Sequence, residues 1–303
     1  MISILSKTAQ KYLPFKMQLF GIFATMEELL TETENESLVQ KHPRYFIHLA
    51  YDGTGFHGWQ IQKNGDSVQE RVNSALSQIL NSRIMCMGCG RTDAGVHATS
   101  FYAHFDFGGE LPHRFVDRLN SILPKSIVVF NIMSVAQNAH TRFHATKRSY
   151  EYYIHFEKNP FLKSYSLYLG HLKTNWDIVF EATEMLTTFK DFTSLCRPSD
   201  DFKTNLCDVS LAKWDRVQKP SVAGPKQNEF MRFTISSNRF LRGMVRKTVG
   251  TLLMLGADKI SLQEFEDTIA NQQEFFKTSL VSPEGLYLTD VVYPYSLEPI
   301  VWV

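Results

Sequence analysis

The sequence predicts an α+β fold in which two similar α/β subdomains pool their strands into one mainly antiparallel sheet, with a central cleft where they meet. Two observations lead there. Strand-like and helix-like segments alternate without strict βαβ order, and the same grammar occurs twice along the chain. Also, residues 148–156 set Tyr150, Tyr152, Ile154 and Phe156 against Ser149, Glu151, Tyr153 and His155, the period of two that a strand requires. The expected organisation is an N-terminal extension over 1–43, a first subdomain over 44–146 and a second over 147–303.

The elements follow in order. Residues 45–51 read as a strand, and Asp52-Gly53-Thr54-Gly55 as the turn after it. Ser67-Val68-Gln69-Glu70 is a capping box opening a helix with Val68, Val72, Ala75, Leu76, Ile79 and Leu80 on one stripe. Short strands are expected at 83–89 and 99–107. Phe115, Leu119, Ile122 and Leu123 mark a helix that Pro124 ends, and 127–132 is a further strand. In the second subdomain Asn175 caps a helix, strands lie near 206–216 and 229–236 with a loop over 219–225, and a long helix is expected over 239–255. Ser261-Leu262-Gln263-Glu264 is a second capping box, and 285–293 the last strand.

Composition narrows the class. The 303 residues are 44% hydrophobic and 21% charged, as in a globular protein with a real core. No apolar run approaches the roughly 18–20 residues that cross a bilayer. Net charge is only +1, so nucleic-acid binding would need cations converging on one face. Four cysteines are too few for a disulfide scaffold at this length and point to a reducing compartment, the cytoplasm by default. Cys86-Met87-Gly88-Cys89 has C-x-x-C spacing, but the second pair, Cys196 and Cys207, has ten residues between its members and no nearby His completes a zinc pattern, so Cys86 and Cys89 read as buried small residues. His97, His104, His140 and His144 lack ligand spacing on one helix and read as structural. No metal or cofactor is expected. The extension has Lys7, Lys11 and Lys16 but no acid before Met26, then a Glu-rich helical stretch over Met26–Ser37. It lacks the arginines of a transit peptide and a clear signal-peptide pattern. Translation could start at Met17 or Met26, and the extension reads as peripheral.

Three constellations could carry chemistry. Gly90-Arg91-Thr92-Asp93-Ala94-Gly95-Val96-His97-Ala98 presents one carboxylate on a turn at the lip of a sheet, beside Arg91, between two glycines that free the backbone. An ordinary polar turn would look similar. On a helix over 239–255, Arg239, Arg242 and Arg246 fall at i, i+3 and i+7 and share a face. That is either a solvated cationic stripe or a stripe whose apolar flanks bury one arginine against an anion. Arg142 to Tyr152, with Tyr153 just beyond, places Lys147, Arg148 and the tyrosines Tyr150, Tyr152 and Tyr153 close together, and by themselves these tyrosines do not rank.

These windows resemble the TruA family of tRNA pseudouridine synthases. The first matches its GRTDAGVHA letter for letter. Phe240-Leu241-Arg242-Gly243-Met244-Val245-Arg246 is similar to its FLxxMVR, with Gly243 where Asn or His is common. Arg142 to Tyr152 is similar to RFxATxRxYxY. The windows Tyr51–Gln60, Leu119–Pro124 and Pro283–Leu288 also fit, so the resemblance spans about 44–294. Departures occur at Lys190-Asp191-Phe192 and near Asn205-Leu206-Cys207.

The resemblance implies a metal-free isomerase, homodimeric, acting on uridine at tRNA positions 38–40 in the anticodon arm. It implies Asp93 as nucleophile, Tyr150 as the active-site tyrosine and Arg246 as the ion-pair partner that favours the Asp93 anion. Arg91 would occupy the space of a flipped base or hold a phosphate, and Lys147, Arg148, Arg239 and Arg242 would follow the RNA backbone. Two rival readings stand beside it: a catalytically inactive tRNA-binding module, and a glycosidase-like enzyme that releases the base.

Overall fold

A computed structural model describes residues 42–63, 65–170, 172–198, 204–219, 228–275 and 280–301. The helical stretch expected over Met26–Ser37, and the loop beyond Lys219, lie outside them. Strands β1 (Arg44–Tyr51), β2 (Met87–Gly88), β3 (His97–Asp106) and β4 (Ile127–Val135) come from the first part of the chain. Strands β5 (Lys147–His155), β6 (Leu167–Tyr168), β7 (Val209–Lys219), β8 (Asn228–Ser237) and β9 (Leu286–Val292) come from the second. They join one mixed, mostly antiparallel sheet of order β4-β1-β3-β9-β5-β8-β7, with β2 on β3 and β6 on β5. The expected pooling of strands is therefore present. Its seam is the short parallel pairing of β3 with β9, His97 opposite Tyr287 and Ala98 opposite Leu288.

That seam positions the site. Leu288 is also the register partner of Tyr150 on β5. Ala98, Leu288 and Tyr150 thus form one row across three strands, about 10 Å from end to end at the usual strand spacing. Asp93 lies on the loop feeding β3 and Tyr150 near the start of β5, so the sheet itself brings them to one place.

The helices are α1 (Val68–Leu80), α2 (Phe115–Ile122), α3 (Trp176–Met185), α4 (Met244–Gly256) and α5 (Leu262–Ala270). Ser67 and Ser261 cap α1 and α5 as their capping boxes require, accepting the amides of Glu70 and Glu264. Asn175 stands at the start of α3 without a side-chain cap. Its amide instead donates to the Gly256 carbonyl, tying α3 to the end of α4. Helix α1 buries Val68, Val72, Ala75, Leu76 and Leu80. Beneath it Trp59 stacks on Phe101 with centroids 4.1 Å apart. Burying such aliphatic and aromatic side chains supplies about 1.5–3 kcal/mol each.

Two local readings are corrected. The strand expected over 83–89 contracts to Met87–Gly88. The helix expected over 239–255 starts only at Met244, because Gly243 adopts a left-handed φ of +66° and Leu241–Met244 closes as a turn. Arg239 and Arg242 therefore precede the helix and do not share a helical face with Arg246.

Candidate active site

The Asp93 loop is clamped from beneath by the turn after β1. The Trp59 amide donates to the Thr92 carbonyl at 3.3 Å, and the Gly95 amide to the Phe56 carbonyl at 3.2 Å. The buried Tyr51 and Thr92 hydroxyls bond at 2.9 Å. Gly58 makes this approach possible: its φ is +84°, and a Cβ there would lie 2.2 Å from the Thr92 carbonyl oxygen. Gly95 likewise has a φ of +78°. Gly90, expected to need similar freedom, has neither a positive φ nor a neighbour that a Cβ would meet.

At the exit of the loop, His97 is 2% exposed. Its Nδ1 accepts the Gly53 amide at 3.1 Å, and Nε2 donates to the Ser164 carbonyl at 2.9 Å. Asp52 lies 3.1 Å from Nδ1, but burial dominates and lowers the pKa of the imidazole. The neutral Nε2–H form follows, and the Asp52 contact is not a charged pair. His97 thus joins the β1 turn, the Asp93 loop and the segment before β6.

The charge at the centre is paired between the loop before β3 and helix α4. Arg246 Nη1 donates to Asp93 Oδ2 at 3.0 Å, and Arg246 Nε donates to the Val281 carbonyl at 2.7 Å. The arginine side chain is 14% exposed and the aspartate 35%. The cation is held in the first turn of α4, while the carboxylate stays part-exposed. A charge-assisted bond of this kind fixes the orientation of the carboxylate. Tyr150 lies in the same region, 8% exposed, with its ring edge-to-face on Phe240 at 4.8 Å. Burial pushes its hydroxyl pKa well up, Cys89 and Asp93 add to that, and Arg148 opposes it. The phenol is therefore neutral at ordinary pH and available as a donor.

The remaining sequence candidates separate. Arg91 and Arg242 are exposed, and Arg239 is half-buried. Lys147 lies on the face of β5 opposite Tyr150, with Nζ 3.7 Å from Asp290 Oδ2. Arg148 shares the Tyr150 face but is buried, with its donors on main-chain carbonyls, so the structure does not place it where an RNA backbone would run. Among the described residues there is no cluster of three or more His, Cys, Asp or Glu side chains that could hold a metal ion. All four cysteines are buried and free. Sequence reasoning missed Tyr51, Thr92 and the Val281 carbonyl as parts of this site.

A part-exposed carboxylate, oriented by a largely buried guanidinium and with a neutral buried phenol nearby, suits attack on an electrophilic carbon with proton transfer close at hand. Comparison with known proteins gives the family. A family model described as tRNA pseudouridine synthase matches residues 183–294. A tRNA pseudouridine synthase A of Bacteroides thetaiotaomicron is 43% identical over 83% of this chain and 91% of its own length. That of Azobacteroides pseudotrichonymphae is 41% identical over 83% of this chain and 97% of its own. The chain belongs to the tRNA pseudouridine synthase A (TruA) family. It is thereby an enzyme of the pseudouridine synthase class, an isomerase. A more distant TruA relative from Clostridium acetobutylicum, 32% identical, still spans 82% of this chain and 98% of its own length. Similarity therefore covers the Asp93 loop, β5 and α4 alike.

Proposed function

We propose that this chain isomerises uridine to pseudouridine in the anticodon stem-loop of tRNA, at positions 38–40, with Asp93 as the nucleophile. The observation that carries the reading is the Arg246–Asp93 pair at 3.0 Å, with the carboxylate still part-exposed and Tyr150 beside it. A purely structural ion pair would have no need to keep one partner open to a cleft.

The reaction breaks the C1′–N1 bond and forms a C1′–C5 bond. N1 gains a proton and C5 loses one, so no oxidant or reductant is needed. A stacked base is out of reach, and the target uridine is flipped into the cleft. Asp93 attacks C1′ of the ribose, expelling N1, or adds to C6 of the base; the uracil reorients, C5 bonds to C1′, and the Asp93 carboxylate leaves, displaced from C1′ or eliminated from C6. Tyr150 packs against the flipped base and, as a neutral phenol, relays a proton near C5. Arg246 holds the Asp93 carboxylate in its orientation. Exposed Arg91 fills the space of the flipped base or holds a phosphate, and Arg239 and Arg242, ahead of α4, contact the RNA backbone. The protein acts in the cytoplasm as a homodimer, with one tRNA lying across both subunits. The two subdomains 44–146 and 147–303 form the walls of the cleft. No helix among the described residues is long and apolar enough to cross a membrane.

The test uses unmodified tRNA transcripts carrying uridine at 38, 39 or 40, mapped for pseudouridine by carbodiimide adducts and primer extension. New adducts at those positions and no others are expected. Adducts elsewhere would overturn the positional assignment. Release of free uracil would favour the base-releasing reading, and binding without product would favour an inactive tRNA-binding module.

A further inference from the structure

We propose that Arg148 is a positioning residue for the reaction, one that sets the Asp93 loop against Tyr150 and Arg246, and not an RNA contact. The inference rests on the reading of Asp93, Tyr150 and Arg246 as the reacting set.

Arg148 is 8% exposed, yet among the described residues no carboxylate lies within salt-bridge range of it. A buried guanidinium needs compensation for its lost hydration. Here it comes from four main-chain carbonyls that occupy all three nitrogens. Nε and Nη2 both donate to Cys89, at 3.2 and 2.8 Å. Nη2 also donates to Arg142 at 2.6 Å. Nη1 donates to Asn238 at 3.2 Å and Ala145 at 3.5 Å. The nearby thiol is no counter-ion, since burial pushes the Cys89 pKa up to about 11 and leaves it protonated.

The segments tied together are the parents of the three reacting groups. Cys89 is the last residue before the Gly90–Gly95 loop and stands four positions ahead of Asp93. Arg148 itself is two positions before Tyr150 on the same face of β5. Asn238 opens the stretch that carries Phe240, the ring packed on Tyr150, and leads into α4 and Arg246. One planar, five-donor fork therefore fixes the root of the Asp93 loop to the strand bearing the tyrosine and to the approach of the helix bearing the partner arginine. A lysine offers three donors on one atom and cannot span these carbonyls. Loss of the fork lets the Cys89 carbonyl, and the loop behind it, drift. A misplacement of about 1 Å costs a reaction of this kind about 100-fold in rate.

The experiment measures single-turnover pseudouridine formation at saturating enzyme for wild type, Arg148→Lys, Arg148→Gln, Arg148→Ala and Asp93→Asn. tRNA binding across a salt series and the folded fraction are measured in parallel, and rates are expressed per folded molecule. The expected result is a rate about 100-fold lower in Arg148→Gln and at least about 10-fold lower in Arg148→Lys. Affinity should stay within about 3-fold, the salt slope should match wild type, and ethylguanidinium should restore part of the rate in Arg148→Ala. A salt slope reduced by about 0.9 with an unchanged rate at saturation would instead make Arg148 a phosphate contact and overturn the inference. Rates per folded molecule equal to wild type, or lost rates that ethylguanidinium leaves untouched, would overturn it too. Asp93→Asn separates the two claims. If it is inactive while Arg148→Gln turns over normally, only the role of Arg148 fails; if it turns over normally, the reading beneath fails as well.

Discussion

Around Arg246 a guanidinium meets a carboxylate; around Arg148 it meets main-chain carbonyls. Both arginines sit in motifs of the same family, and both are largely buried. Arg246 reaches one carboxylate and one carbonyl, Asp93 and Val281, so its charge acts on the group proposed to react. Arg148 reaches four carbonyls on three stretches of chain, so its charge acts on the geometry of the backbone. The difference teaches that a buried cation is read from its acceptors. An anionic acceptor makes it an electrostatic partner, and dispersed neutral acceptors make it a strut.

Substitutions can break this contrast, the largest effect coming where charge meets charge. Arg246→Ala leaves Asp93 without its cation and should lower turnover about 1000-fold in steady-state assays, with near-wild-type folding by circular dichroism. Wild-type turnover would remove Arg246 from the site. Arg246→Lys keeps the charge but cannot serve both Asp93 and Val281, and a loss of about 10- to 100-fold in kcat is expected. A loss equal to that of alanine would mean that the fork and not the charge matters. Tyr150→Phe keeps the packing on Phe240 and removes only the hydroxyl. About a 100-fold fall in kcat is expected if the phenol moves a proton, and a fall under 2-fold would leave Tyr150 a packing residue.

Smaller effects test the support beneath the loop. Gly58→Ala drives a Cβ into the Thr92 carbonyl at a left-handed φ, and should cost about 1–3 kcal/mol of stability, read as a lower melting temperature. An unchanged melting temperature would show that the clamp under Thr92 is soft. His97 should add a modest pH dependence. Its folded pKa is depressed by burial, so the unfolded chain binds the proton more readily. The stability it contributes is present above about pH 6.5 and is lost as the pH falls below that value. Melting from pH 8 to pH 5 should show this loss in wild type and less of it in His97→Gln.

The legible parts of the sequence were those carried by local rules. Ser67 and Ser261 cap helices as their spacing required, and β5 forms where Tyr150, Tyr152 and Ile154 recur at every second residue, although it is buried on both faces. The pooling of strands was legible from the repeated grammar, but the parallel seam between β3 and β9 was not, since it depends on contacts almost 190 residues apart in the chain. Gly243 misled because glycine is tolerated within a helical pattern, and only its φ shows that the helix starts after it. The burial of Arg148 was not legible, because alternation tells which face a residue occupies and not which carbonyls converge there. Tyr51 and Thr92 gave no signal, since a buried hydroxyl pair looks in sequence like any Tyr and any Thr.

The central claim is that the Asp93 carboxylate does the chemistry, and tritium release from C5-tritiated uridine in unfractionated tRNA tests it most directly. Wild type should release tritium, and Asp93→Asn should bind the same tRNA yet release none. Release by Asp93→Asn at the wild-type rate would contradict the account.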